Sequence, residues 1–313
     1  SSDRMIGGLL RPCPWGEVAI VCDEAVRGGH MWYQFFKYTL FAPGTRLVCR
    51  PWVVGEENIP TDGGAILASN HLGVLDPLIV ASMIDRPITY PAKKELFDPS
   101  GGPGKRIVAW FMHAVDQVPL DRSGGRGSLT AMDPVLERLQ EGGLVGIFPE
   151  GTRSADDRMF KAKTGVARLA LTAKVPVIPV GVAGSQTSRT VCGIPLCSRP
   201  GLIFGKPLDF SDYSDRVGET AVLRWVTNEI MDAVAELTGQ EYVDVFATRV
   251  KYGNLRGKDL TPWVRDRPGH VAPPAPRKDR QRATSAAEVE TQPGIDGTSS
   301  TASQPLSVLT DLH

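Results

Sequence analysis

Nowhere in its 313 positions does the chain hold 18 or more uninterrupted apolar residues, so the sequence predicts no bilayer-spanning helix. It has no excess of either charge: 35 Lys and Arg stand against 35 Asp and Glu. That balance removes the polycationic footprint of a nucleic-acid binder, and no nucleic-acid partner is expected. Cysteine is scarce and odd in number, at Cys13, Cys22, Cys49, Cys192 and Cys197, and no secretory leader pattern is present. Reduced thiols in a cytosolic compartment are therefore expected rather than a disulfide framework. Cys192 and Cys197 have no second Cys or His pair at ligand spacing, so no metal site is expected. The stretch "GGPGKRI" lacks the earlier glycine and the following hydroxyl of a phosphate-binding Walker loop, and no G-x-S-x-G nucleophile elbow occurs.

What is present is 42% hydrophobic residues, enough for a sizeable core, arranged from about residue 64 as short apolar runs alternating with helix-like segments. "GAILAS" (64–69), "ITYPA" (88–92), "AVDQVPL" (114–120) and "LVGIF" (144–148) read as extended. Segments 77–84, 105–113, 128–140 and 164–174 read as helices. This is the strand and crossover-helix pattern of an α/β domain. "VPVIPVGV" (175–182) reads as a strand whose prolines suggest irregular or edge pairing. Val226, Ile230, Val234 and Leu237 recur at helical spacing and predict a last helix near 218–239.

Two segments depart from that pattern. "MWYQFFKYTLFA" (31–42) packs six aromatic rings into a stretch too short to span a bilayer; it suits either a membrane interface or a buried helix. From 261 to 313 the chain is rich in Pro, Ala, Ser and Thr and poor in large apolar residues, so a disordered tail is expected. Its Arg265, Arg267, Arg277, Lys278, Arg280 and Arg282 suit either anionic lipid headgroups or plain solvent.

Candidate chemistry gathers after strands. In "SNHLGVLDP" (69–77), His71 and Asp76 lie too far round an ideal helix to share a face. With His71 ending a strand and Asp76 capping a helix that begins at Pro77, the turn between them can fold the carboxylate back onto the imidazole. Such a carboxylate fixes the ring tautomer and frees the other nitrogen to take a proton. On this stretch alone an ordinary helix start beside a hydrogen-bonded strand-end histidine is the stronger reading. "FPEGTRS" (148–154) pairs a turn glycine, Gly151, with the planar fork of Arg153, which fits a phosphate; an exposed Glu150–Arg153 pair is the alternative. Lys93 and Arg122 also follow strands, where ligand sites of parallel sheets gather.

Asn70-His71-x4-Asp76, Arg122 in "VPLDR", "FPEGTRS" and "VPVIPV", in that order, resemble the glycerolipid acyltransferase family, the PlsC-type 1-acylglycerol-3-phosphate (lysophosphatidate) acyltransferases, over about residues 50–240. The resemblance implies a single acyltransferase domain (51–260) with a central mixed, mostly parallel sheet flanked by helices. An N-terminal arm (1–29) and an amphipathic membrane-interface segment (30–50) would precede it. It implies transfer of a fatty acyl group from acyl-CoA or acyl carrier protein to a lysophospholipid hydroxyl, without a cofactor, by a peripheral or monotopic protein on the cytoplasmic face of the membrane. By the same resemblance His71 is general base, Asp76 orients it, and Glu150, Gly151, Thr152, Arg153, Arg122 and Lys93 bind substrate, with the 175–180 strand shaping an apolar channel. Leu72 and Gly73 depart from the polar residues common in the family, and the usual glycine before the motif arginine is missing. Acceptors with another headgroup, or a lipid-binding protein without catalysis, are the competing readings.

Overall fold

A computed structural model describes residues 31–120, 132–187, 189–191, 194–197 and 199–269. Arg122, the N-terminal arm, Cys192 and residues 270–313 lie outside the described residues.

The chain enters as helix α1 (31–48), which includes a π-helical turn at Lys37–Phe41. Strands β1 (Trp52–Val54) and β2 (Ala65–Ser69) follow, then α2 (Asp76–Met83) and the short β3 (Ile88–Thr89) and β4 (Pro91–Lys93). Helix α3 (Pro103–Ala114), β5 (Val118–Leu120), α4 (Asp133–Gln140), β6 (Leu144–Ile147) and β7 (Met159–Phe160) come next. The remainder is α5 (Gly165–Ala173), β8 (Val177–Ala183), the hairpin β9 (Arg189–Val191) and β10 (Ile194–Leu196), β11 (Gly201–Phe204), α6 (Thr220–Thr238), β12 (Tyr242–Val243), α7 (Ala247–Lys251) and β13 (Val264–Arg265).

The central sheet has the order β1-β11-β8-β2-β6-β3. Every pairing in it is parallel except β11 with β8, so the expected mixed, mostly parallel α/β architecture is present. Both faces are covered, which is why its strands read as continuous apolar runs. Alternation along β2 sends Ile66 and Ala68 toward α4, α5 and α6, and Ala65 and Leu67 toward α2. The long α6 buries Val222, Val226, Ile230 and Val234 and stops at Gly239, whose φ of +65° is left-handed.

Three expectations are corrected. The proline-bearing strand β8 is interior, lying between β11 and β2. Pro179 is tolerated because its carbonyl accepts from Gly205 N–H at 2.8 Å, just past Phe204, the last residue paired with β8, so the missing donor falls where β11 has ended. The packed chain also runs beyond 260. Val264–Arg265 pairs with β12, and Arg267 bridges to Asp232 at 3.4 Å and Glu236 at 3.3 Å, so these two arginines are not part of a free basic tail. Finally, Asp76 begins α2 without capping it.

Helix α1 is inverted relative to an ordinary surface helix. Its inward face docks through polar atoms: the Lys37 ammonium donates to the carbonyls of Ile84 and Asp85, and Ile88 N–H donates to the Tyr33 hydroxyl at 3.1 Å. Met31, Trp32, Phe35, Tyr38 and Leu40 are exposed. They continue onto α3, whose Ile107 and Trp110 are also exposed, with Trp32 and Trp110 edge to face at 5.6 Å. Among the described residues no helix is long and apolar enough to cross a membrane.

Candidate active site

Strands β2, β6 and β3 run parallel, so their carboxyl ends meet at one edge of the sheet. At the end of β2, fully buried Asn70 accepts from Val182 N–H at 2.7 Å and donates to the Val182 carbonyl and to Gln240 Oε1, each at 2.8 Å. This staple to β8 fixes the backbone from which His71 projects.

His71 Nδ1 lies 2.8 Å from Asp76 Oδ2, and the Asp76 side chain is fully buried. The same oxygen accepts the backbone N–H groups of Leu72 at 2.8 Å and Gly73 at 2.9 Å, so the carboxylate organises the turn it closes. An ionised carboxylate only accepts, which puts the imidazole hydrogen on Nδ1 and leaves the Nε2 lone pair free. Gly73 leaves no room for a side chain: a Cβ would sit 2.2 Å from the Ser185 carbonyl oxygen. The departure from the family pattern at this position therefore has a local steric reason in this chain.

The end of β6 supplies the other half. Phe148 stacks on the His71 ring with centroids 4.0 Å apart, and Tyr90 stacks behind Phe148 at 5.6 Å. Gly151 takes the turn at φ +75°. Ser154 N–H donates to the His71 carbonyl at 2.7 Å, and the Glu150 carboxyl accepts the His71 backbone N–H and, at 3.1 Å, that of Phe160. Burial pushes the Glu150 pKa up to about 8, with the two amide hydrogen bonds opposing. Glu150 is thus corrected from a phosphate contact to a buried brace that fastens the turn to His71.

His71 opens onto a cavity of about 1580 Å³. Of the residues expected to bind substrate, Gly151, Thr152, Arg153 and Lys93 line it, while Glu150 does not. Lys163 and Arg168 line it too and were not foreseen. Neither carries a recognisable motif; the one local signal is a lysine just before the Thr164-Gly165 start of a helix, with Lys163 N–H donating to the Pro149 carbonyl at 2.9 Å. Among the described residues the side-chain cations of Lys93, Arg153, Lys163 and Arg168 have no carboxylate partner, so the cavity presents uncompensated positive charge beside a proton acceptor. Its apolar wall comes from Leu78 and Ala81 of α2, Phe111 and Met112 of α3, and Phe41 of α1. The 175–180 strand does not line it: Ile178 and Val180 are locked into the core, which corrects the expected channel.

An acyltransferase family model matches residues 50–183. The 1-acyl-sn-glycerol-3-phosphate acyltransferase of Bacillus subtilis (strain 168) is 30% identical over 163 residues, covering 52% of this chain and 75% of that protein. The protein of the same name from Borreliella burgdorferi is 32% identical over 146 residues, covering 46% of this chain and 54% of its own. Among solved structures, that of the 1-acyl-sn-glycerophosphate (LPA) acyltransferase PlsC from Thermotoga maritima matches with a TM-score of 0.45 at 22% identity, covering 74% of this chain and 86% of that one. With the Bacillus relative matched over three quarters of its length, and with the matched region holding both the His71–Asp76 pair and the 148–154 turn, the chain belongs to the acyltransferase family.

Proposed function

We propose that the protein transfers a fatty acyl group from a thioester donor to the free hydroxyl of 1-acylglycerol-3-phosphate, forming phosphatidate at a membrane surface. One observation carries this reading: a histidine held at 2.8 Å by a buried carboxylate faces a large, mostly apolar cavity that Lys93, Arg153, Lys163 and Arg168 also line, none of them with a carboxylate partner among the described residues. The apolar wall suits an acyl chain, and Arg153, Lys163, Lys93 and Arg168 suit the acceptor phosphate.

In the proposed step, His71 Nε2 takes the acceptor hydroxyl proton as the hydroxyl oxygen bonds to the thioester carbonyl carbon. The tetrahedral intermediate expels the thiolate, and the imidazolium returns the proton to sulfur, leaving ester and free thiol. Asp76 orients the ring and balances the charge it gains. General-base help of this kind is worth roughly 10²- to 10⁴-fold, so positioning in the cavity supplies much of the rest. The route calls on no cofactor.

The membrane assignment rests on the exposed apolar face shared by α1 and α3, because Phe41 of α1 and Phe111 of α3 also line the cavity. A lipid seated on that face reaches the cavity without crossing water. Purified protein given lysophosphatidate and acyl-CoA or an acyl carrier protein thioester should release free thiol and phosphatidate in equal amounts. Thiol without phosphatidate, or neither product from either donor, would overturn the reading; parallel lysolipids with other headgroups test the acceptor.

A further inference from the structure

Behind the 148–154 turn lies a second cleft, of about 500 Å³, built mainly by residues outside the 50–183 family match. Arg158, Lys251, Arg256 and Lys258 line it against one carboxylate, Asp156, over an apolar floor of Val250 and Leu260. Arg158 is committed to Asp156 and, at 3.2 Å, to Glu241, so that group is neutralised internally. Lys251, Arg256 and Lys258 have no carboxylate partner among the described residues.

The cleft adjoins the catalytic cavity along two stretches of backbone. Arg153 lines the cavity and Ser154 the cleft; Tyr252 lines the cavity and Lys251 the cleft, with Lys251 Nζ 3.4 Å from the Arg153 carbonyl. Ser154 is in turn hydrogen-bonded to the backbone of His71. A ligand bridging cleft and cavity therefore passes beside the catalytic pair.

We propose that this cleft binds the nucleotide end of an acyl-CoA donor, with Arg256, Lys258 and Lys251 on its phosphates and the arm that carries the thioester passing Tyr252 into the cavity. This rests on the acyl-transfer reading above and names the donor that reading leaves open. A volume of about 500 Å³ lies in the range of small-molecule sites, and a concave pocket with an apolar floor suits a nucleotide better than the broad face of a carrier protein. Three uncompensated cations beside an apolar floor match a group that carries several phosphate charges next to a planar base.

The test uses the full chain and adenosine 3′,5′-bisphosphate as probe, with binding read by calorimetry so that no turnover is needed. The wild type should bind it, more weakly as salt rises, and Arg256→Ala with Lys258→Ala should weaken binding about tenfold or more. Arg256→Lys, which keeps the charge, should retain most of it. In turnover, the double variant should raise the acyl-CoA KM by a similar factor, leaving the KM values for acyl-pantetheine, which lacks the nucleotide, and for lysophosphatidate in place. No binding by the wild type, or an equal effect with acyl-pantetheine, would overturn the proposal. Transfer from a carrier-protein thioester by a chain that ignores the bisphosphate would overturn the cleft while leaving acyl transfer standing. Binding without any acyl transfer would do the reverse.

Discussion

Ser154 N–H donates to the carbonyl of His71 over 2.7 Å, and Glu150 accepts the N–H of the same histidine, so the 148–154 turn grips His71 from both sides of its backbone. The proton acceptor and the cationic turn thus form one rigid unit, and a change in either is felt by the other.

Removing the base should be the most severe change. His71→Ala is expected to lower kcat by about 10²- to 10⁴-fold with the fold retained. Asp76→Asn should lower it comparably and also reduce stability, because Asp76 Oδ2 accepts from Leu72 and Gly73 as well as contacting Nδ1. Steady-state rates beside urea unfolding separate the two effects; wild-type kcat in His71→Ala would refute the mechanism.

Arg153→Ala and Lys163→Ala should each raise the KM for lysophosphatidate about tenfold, as expected for losing one charge-assisted contact. Both line the cavity without a carboxylate partner, so little of the loss should come from stability. With monoacylglycerol, which lacks the phosphate, the same variants should behave like wild type. An equal penalty with both acceptors would remove phosphate from the assignment.

Gly73→Ala puts a Cβ at 2.2 Å from the Ser185 carbonyl oxygen and 3.0 Å from Asp76 Oδ1. Overpacking of this type costs about 1–3 kcal/mol, and here the strain falls on the turn that holds the dyad. Thermal melts should show the loss and kcat should fall with it; an alanine variant with unchanged Tm and kcat would contradict the local geometry.

Glu150 provides a pH signature. Its carboxyl titrates near 4.5 in the unfolded chain and at about 8 in the fold, because burial disfavours the charged form. Between these values the folded protein holds a proton that unfolding releases, so the contribution to stability is full below about 4.5 and lost as pH rises through about 8. For one proton the slope approaches about 1.4 kcal/mol per pH unit. Glu150→Gln should flatten the profile relative to wild type in urea titrations across that window, and parallel profiles for the two proteins would rule the buried acid out.

Trp32→Glu combined with Trp110→Glu should reduce sedimentation with phospholipid vesicles several-fold, since both rings are exposed on the shared α1–α3 face and pack 5.6 Å apart. Undiminished sedimentation would assign the face to something other than lipid.

Much of the site was legible locally. "GAILAS" and "LVGIF" announce buried strands by their apolar runs, which places His71 and the 148–154 turn just past strand ends whatever the remainder of the chain does. The same short stretch allowed the His71–Asp76 contact without requiring it, and the carboxylate organises the 72–73 turn and does not cap α2. Glu150 and Arg153, three positions apart, look alike as surface charges in the sequence, yet one is buried on two backbone amides and the other lines the cavity. Lys163 and Arg168 carried no recognisable motif because their meeting with the turn depends on where α5 starts in space.

By itself the sequence determined the alternation of strands and helices and the placing of His71 and the 148–154 turn just past strand ends, because each depends on residues within a few positions. Only the tertiary structure decided that Glu150 braces His71, that β8 is interior despite Pro179, and that α1 docks by Lys37 and Tyr33 while Trp32, Phe35 and Tyr38 face outward. The physical reason is common to all three. Whether a polar group can be buried is settled by the donors and acceptors that distant segments bring within about 3 Å of it, and no local pattern encodes that distance.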